Sequence, residues 1–381
     1  MTSILTTVPF VDLQLQHQPI QAEINQAIQS VIQRGDFVLG KAVAELETNF
    51  AQACGVSYGV GVATGTDAIA LGLVACGIQP GDEVLVPANT FIATILGIVD
   101  AGAKPVLVDC DPEAALIDLQ AATRLVTAKT KAILPVHLYG QLVSPRQLLD
   151  FAQAHNLIIF EDAAQAHLAD REGYRAGSMG LAAAFSFYPS KNLGAFGDGG
   201  MVVTNNEAIA QKLRSLRNYG SPTKYVHTEP GTNSRLDTLQ AAILNVKLPY
   251  LEGWNRARNV VAEEYDTLLL PLKNQGIIPI KNQSDQGHIY HLYVIRVTDE
   301  CNLDRDTLKQ RLESFNIQTG IHYPIPCHLQ PAYKSLGYRV GDFPVSEALS
   351  RQILSLPMYP GLTTTQIQQV VTAIHTVLKR F

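Results

Sequence analysis

The sequence predicts an α/β fold: a mainly parallel central sheet flanked by helices, followed by a smaller C-terminal α/β domain. Three observations carry this expectation. Between residues 58 and 204, short β-branched runs alternate with helix-length stretches. Those runs are apolar throughout rather than alternating, as strands read when helices cover both faces of a sheet. The 381 residues of the chain also exceed the roughly 250–300 at which one core stops growing, so two domains are expected.

Residues 17–55 read as helical. Ile20, Ile24, Ala27, Ile28 and Val31 recur at helical spacing, and Ala42, Val43, Leu46 and Phe50 resume it after a break at Gly35–Gly40. Strands are then expected at 58–63, 83–88, 104–110, 130–136, 157–163, 182–188 and 199–204. Residues 239–270 form a long helical stretch interrupted by Pro249 and Gly253, and HLYVIRV (291–297) is the clearest strand beyond it. The boundary falls near residue 250, giving a larger domain over 1–250 and a smaller one over 251–381.

Composition narrows the function. A net charge of -5 and a pI near 6.1 argue against a general nucleic-acid or polyphosphate binder. The five cysteines (Cys54, Cys76, Cys110, Cys301 and Cys327) are scattered, without C-x-x-C or zinc-finger spacing, so buried reduced thiols and no metal site are expected. The opening residues lack the charged and apolar regions of a signal peptide. No apolar stretch reaches the ~18 residues of a membrane span. A soluble, cytoplasmic protein is the expectation.

In α/β sheets ligands bind beyond the carboxyl ends of the strands, and the unusual polar residues fall there. After the strand at 182–188, Lys191 sits in a bend followed by Gly194, Gly197, Gly199 and Gly200. A lysine beside apolar walls can lose its proton and act as an amine nucleophile, although most loop lysines only face water. Glu161 and Asp162 close the buried run LIIF, where an acid needs a cation or hydrogen bonds; a protonated pyridine nitrogen would suit. Gln165 follows one turn later, and capping of the AAQAH segment is the simpler role for the acid.

Thr64–Gly65–Thr66–Asp67 precedes an Ala/Leu-rich helix, and free amides at a helix start bind phosphate. Asp67 would repel phosphate with its carboxylate, so a backbone contact is assigned to it, its side chain serving as a cap. Phe91, just past a strand end, could stack on a flat ring or simply fill the core. His137 could border the site or be a bonded wall residue. In GTNSRLD (231–237), Asn233 and Arg235 suit phosphate or diphosphate, though Asn233 or Ser234 could equally cap the next helix. His322, Tyr323 and His328 lie in a proline-rich segment that could border a substrate. Together these pieces supply an amine nucleophile, a buried acid, a phosphate cradle and a ring stacker, which is what pyridoxal phosphate requires.

With those residues in place, the chain resembles the DegT/DnrJ/EryC1/StrS family of sugar aminotransferases. The resemblance runs from VPFVDL (8–13) to SLPMYPGLT (355–363), through GDFVLG (35–40), ATGTDA (63–68), EDAAQAH (161–167), SFYPSKNLG (186–194) and NYGS (218–221). It implies the type I, aspartate-aminotransferase-like fold and pyridoxal 5'-phosphate as cofactor. By position, Lys191 matches the Schiff-base lysine, Asp162 the partner of the pyridine nitrogen, and Gln165 the contact to the phenolic oxygen. Phe91 matches the ring stacker, and Thr66, Asp67 and Ser186 the phosphate cradle.

Asn233 matches a residue that reaches the phosphate from a neighbouring subunit, which implies a homodimer with shared sites. The implied reaction is a double-displacement transamination. An amino donor, glutamate in most members, loads the cofactor, and the amino group passes to a keto sugar on a nucleoside diphosphate. HYPIPCHLQPAY (322–333) and GDFP (341–344) are most similar to members acting at C-3 of 3-keto sugars, with Arg235, His322 and Tyr323 as the substrate contacts. A sugar dehydratase of the family would carry histidine in place of Lys191. A non-catalytic sensory or regulatory protein would have no use for lysine, acid and cradle together. A pyridoxal enzyme for amino acids fits the extent of the resemblance poorly.

Overall fold

The computed structural model describes residues 7–379; residues 1–6, part of the segment read above for a signal peptide, and residues 380–381 lie outside it. The chain begins with the short helix α1 (Leu13–His17), then α2 (Gln21–Arg34) and α3 (Lys41–Cys54). Helix α2 ends where Gly35 turns left-handed at φ 69°, a conformation glycine adopts without penalty. Helix α3 buries Ala42, Val43, Leu46, Phe50 and Ala51 along one stripe.

The expected strands then appear in order: β1 (Tyr58–Val62), β2 (Glu83–Pro87), β3 (Lys104–Val108), β4 (Thr130–Ile133) and β5 (Ile158–Asp162). A two-residue hairpin, β6 (Asp170–Arg171) and β7 (Tyr174–Arg175), precedes β8 (Ala182–Ser186) and β9 (Gly200–Thr204). Helices α4 (Gly65–Ala75), α5 (Ile92–Asp100), α6 (Leu119–Thr123), α7 (Pro145–His155) and α8 (Glu207–Leu216) connect or follow them. The seven long strands form one sheet in the order β1-β9-β8-β5-β4-β2-β3.

Strands β3, β2, β4, β5 and β8 pair in parallel, while β9 runs antiparallel to both β8 and β1. Six strands therefore end at one edge of the sheet, and β9 begins there. Alternate residues feed two cores: Ala182, Ala184 and Val202 face one, Ala183, Phe185 and Val203 the other. That alternation follows from the two-residue period of a strand. Each large apolar side chain so buried contributes roughly 1.5–3 kcal/mol.

Helix α9 (Thr238–Lys247) leads through a 3-10 turn containing Pro249 into α10 (Leu251–Leu269). Gly253 does not interrupt α10, contrary to expectation, because a lone glycine in a helix of 19 residues costs only about 1 kcal/mol. A second sheet, β10 (Ile277–Pro279), β11 (Tyr293–Val297) and β12 (Ile353–Leu356), is antiparallel in that order. It packs with α10, with α11 (Arg305–Ser314) and with α13 (Thr364–Leu378), which follows α12 (Pro344–Gln352). Val8, near the start of the chain, belongs to this second core and bridges Ile317. Among the described residues no helix is long and apolar enough to cross a membrane. The cysteines are unpaired, and four are buried; Cys301 is half-exposed, a departure from expectation.

Candidate active site

A cavity of about 540 Å³ opens at the carboxyl edge of the large sheet. Thr66, Phe91, Asp162, Gln165, Ser186 and Lys191 all line it, as do His322 and Tyr323 from the second half of the chain. Asp67, Asn233 and Arg235 do not.

Asp162 is the last residue of β5 and only 5% exposed. Its Oδ2 accepts from Thr94 Oγ1 at 2.8 Å and its Oδ1 from the Ala164 amide at 3.1 Å. Thr94 in turn meets Thr90 Oγ1 at 2.8 Å. Burial still holds the carboxyl above the ordinary aspartate range, against the Thr94 bond and the pull of Lys191, so a cation placed against it would be strongly favoured. Its neighbour Glu161 faces the opposite side of the sheet. There it meets His137 Nε2 at 3.0 Å and accepts from the amides of Gly177, Met179 and Gly180. His137 is thus a fully buried wall residue; its Nδ1 accepts from the Val143 amide. His328 is likewise committed, to Glu347 at 3.0 Å.

Lys191 follows β8 in a turn closed by its own amide on the Tyr188 carbonyl at 2.9 Å. The loop is anchored by Lys247 of α9, only 1% exposed, which donates to the Gly194 carbonyl and meets His17 Nε2 at 2.9 Å. Lys191 is half-buried in the cavity wall and hemmed in by protein. Burial lowers its ammonium to about 8, opposed by the Asp162 carboxylate. About a tenth is therefore free amine at pH 7, far more than for an ordinary lysine.

The phosphate cradle stands opposite. Thr64 caps α4, its Oγ1 accepting from the Asp67 amide at 3.0 Å. The assignment to Asp67 is corrected by this: its amide is the one the cap consumes, and its carboxylate accepts from Ser234 Oγ at 2.8 Å instead of capping the helix. Gly65 and Thr66 are the helix-start residues that line the cavity. A Cβ on Gly65 would come within 2.6 Å of Ser186 Cβ, so the helix start and the end of β8 approach closely only because residue 65 is glycine. A helix N-terminus, two hydroxyl residues and this close approach fit a phosphate.

On the other wall, Phe91 is 52% exposed, its ring 5.3 Å from that of Tyr323. The Tyr139 amide donates to Gln165 Oε1 at 2.7 Å, which fixes the side-chain orientation and turns Nε2 to Tyr323 Oη at 3.1 Å. His322 meets Ser355 Oγ at 2.9 Å through Nδ1, and burial and Lys191 lower it to about 4. Asn233 is exposed and bridges Asn218. Arg235 donates to Asn218 Oδ1 at 2.9 Å and lies over the Tyr219 ring. Sequence reasoning missed Thr90, Thr94 and His291, which also line the cavity; Thr94, three residues past Phe91, had only its position after a strand end to mark it.

An amine nucleophile, a buried acid, a phosphate cradle and an exposed ring around one cavity define a pyridoxal-phosphate-dependent aminotransferase of the type I fold. The chain belongs to the DegT/DnrJ/EryC1/StrS aminotransferase family, whose model matches residues 18–375. It is 43% identical over 367 residues to the dTDP-3-amino-3,4,6-trideoxy-alpha-D-glucose transaminase of Streptomyces venezuelae, spanning 96% of this chain and 95% of that one. It is 43% identical over 374 residues to the pleiotropic regulatory protein of Geobacillus stearothermophilus, spanning 98% and 99%. The crystal structure of S. venezuelae DesV in complex with a ketimine intermediate matches with a TM-score of 0.94 at 42% identity, covering 98% of this chain and 99% of that one.

The lowered Lys191 value sets an expected pH profile. Capture of pyridoxal phosphate by the apoprotein should quicken about tenfold per pH unit below 8 and level off above it, as the ammonium gives way to amine. Stopped-flow absorbance measures this; a rate still climbing through pH 10 would mean that Lys191 titrates as an ordinary lysine.

Proposed function

We propose that this enzyme transfers the amino group of glutamate to C-3 of a 3-keto sugar carried on a nucleoside diphosphate, as a homodimer with shared sites. The observation that carries it is the convergence of Lys191, Asp162 and the Gly65–Ser186 cradle on one cavity. The 3-amino sugar in the name of the Streptomyces relative supports the position of transfer. When bound, pyridoxal phosphate supplies an aldehyde that captures amines and a ring that holds an electron pair.

The residues divide the remaining work. Gly65, Thr66 and Ser186 would hold the phosphate, and Phe91 would pack against the ring. Asp162 would keep the ring nitrogen protonated, and Gln165, whose Nε2 donates to Tyr323 Oη, would border the phenolic oxygen. Lys191 Nζ would be the amine that holds the cofactor and, as free amine, the base positioned to move a proton at the substrate carbon. His322 and Tyr323 contact the sugar nucleotide. Asn233 and Arg235, outside their own chain's cavity, complete the site of the neighbouring subunit, where amide and guanidinium groups suit phosphate. A regulatory role, which the name of the Geobacillus relative carries, would leave lysine, acid and cradle without a purpose.

Incubating the protein, loaded with cofactor, with glutamate and a panel of nucleotide keto sugars tests the reading. Amino sugar is expected from 3-keto substrates; turnover confined to 4-keto sugars, or to none, would overturn it.

A further inference from the structure

His291 opens the HLYVIRV run, two residues before β11, and borders the same cavity as Lys191 and Asp162, only 8% exposed. The residue after Lys191 decides how its ring is held. Asn192 is 1% exposed, and its Nδ2 donates twice, to Asn255 Oδ1 at 2.9 Å and to the Ile289 carbonyl at 3.0 Å. Neither partner can be reversed. A carbonyl only accepts, and Asn255 is oriented by its own Nδ2 donating to the His167 carbonyl at 3.0 Å. Asn192 therefore turns its oxygen, Oδ1, to His291 Nδ1 at 3.2 Å.

That oxygen carries no proton, so Nδ1 is the donor and bears the ring's hydrogen. Burial, with Lys191 and Arg258 nearby, opposes a second proton and keeps the imidazole neutral. A neutral ring protonated at Nδ1 presents a lone pair at Nε2. Nε2 is the ring nitrogen that Asn192 leaves free; among the described residues no hydrogen bond engages it, and His291 lines the cavity.

We propose that His291 is a specificity-determining residue, accepting through Nε2 a hydrogen bond from a hydroxyl of the bound keto sugar, with Asn192 setting its tautomer. This rests on the keto-sugar reading above. The chemistry selects between the two substrates that use the cavity in turn. A sugar hydroxyl brings a donor to the lone pair, whereas the carboxylates of an amino-acid donor bring only further lone pairs. An acceptor here therefore favours the sugar half-reaction without favouring the amino-acid half.

Single-turnover kinetics separate the two halves. For His291→Phe, which keeps a ring and removes the lone pair, the apparent KM for the nucleotide 3-keto sugar turned over by the wild type is expected to rise about tenfold. The half-reaction with glutamate should stay within about twofold of wild type. His291→Gln, whose Oε1 can occupy the place of Nε2, is expected to recover most of the sugar affinity. The proposal is overturned if the Phe variant leaves the sugar KM unchanged, or if both variants slow both halves alike, as a purely structural role would. Failure of the wild type itself to aminate any 3-keto sugar would instead remove the reading on which the proposal rests.

Discussion

Lys191→Ala is expected to lower transamination by at least about a thousandfold, because this one side chain is proposed to supply both the covalent anchor and the proton carrier. The fold should survive. The Lys191 turn is closed by backbone and held by Lys247 at Gly194, and the side chain itself is only half-buried. Coupled steady-state assay measures the loss, and retention of more than about a tenth of wild-type turnover would reassign the role.

The same variant tests the shared site. Asn233→Ala removes the residue proposed to reach the phosphate of the neighbouring subunit, so its homodimer should bind cofactor poorly and turn over little when cofactor is limiting. A mixed dimer of the two variants holds one site with both defects and one with neither. Random assortment makes half of the dimers mixed, so co-expression should restore about a quarter of wild-type activity. No rescue would mean that the site is complete within one chain.

How much of this was legible in the sequence follows from where each signal resides. The seven strands of the large sheet were readable because burial of nearly every residue makes each a short, mostly apolar run. The reversal of β9 was not, since a strand's composition does not record its direction. Strands β10 and β12 are three and four residues long, too short for a period to show. Lys191, Asp162 and the Thr64–Asp67 turn stood out because they place polar groups directly after apolar strands.

The finer division needed the fold. Glu161 and Asp162 read as one acidic pair, yet the two-residue period sends them to opposite faces, one to structure and one to the cavity. The Asp67 assignment failed because the amide at the third helical position is the one an N-cap hydroxyl takes. His291 carried no local mark at all. Its role depends on Asn192, 99 residues away.

Asp162→Asn should cut turnover by on the order of a hundred- to a thousandfold while leaving the protein folded and able to bind cofactor. The side chains are nearly the same size, and the site can accept the change. An amide oxygen can still receive the Ala164 N–H, and the Thr94 hydroxyl can rotate from donor to acceptor within its chain to Thr90. What the amide cannot do is hold a proton on the ring nitrogen, because it offers no negative charge to balance it.

The sign of the stability change separates this role from a structural one. Burial raises the Asp162 carboxyl above its unfolded value, so in the apoprotein its contribution is present at low pH and lost as pH rises through the folded value. Near pH 7 a neutral amide removes that cost. The apo variant is expected to melt no lower than wild type, yet its loaded form should be nearly inactive. Near-normal turnover would remove Asp162 from the chemistry. A lower apo melting temperature together with weak cofactor binding would make it a packing residue.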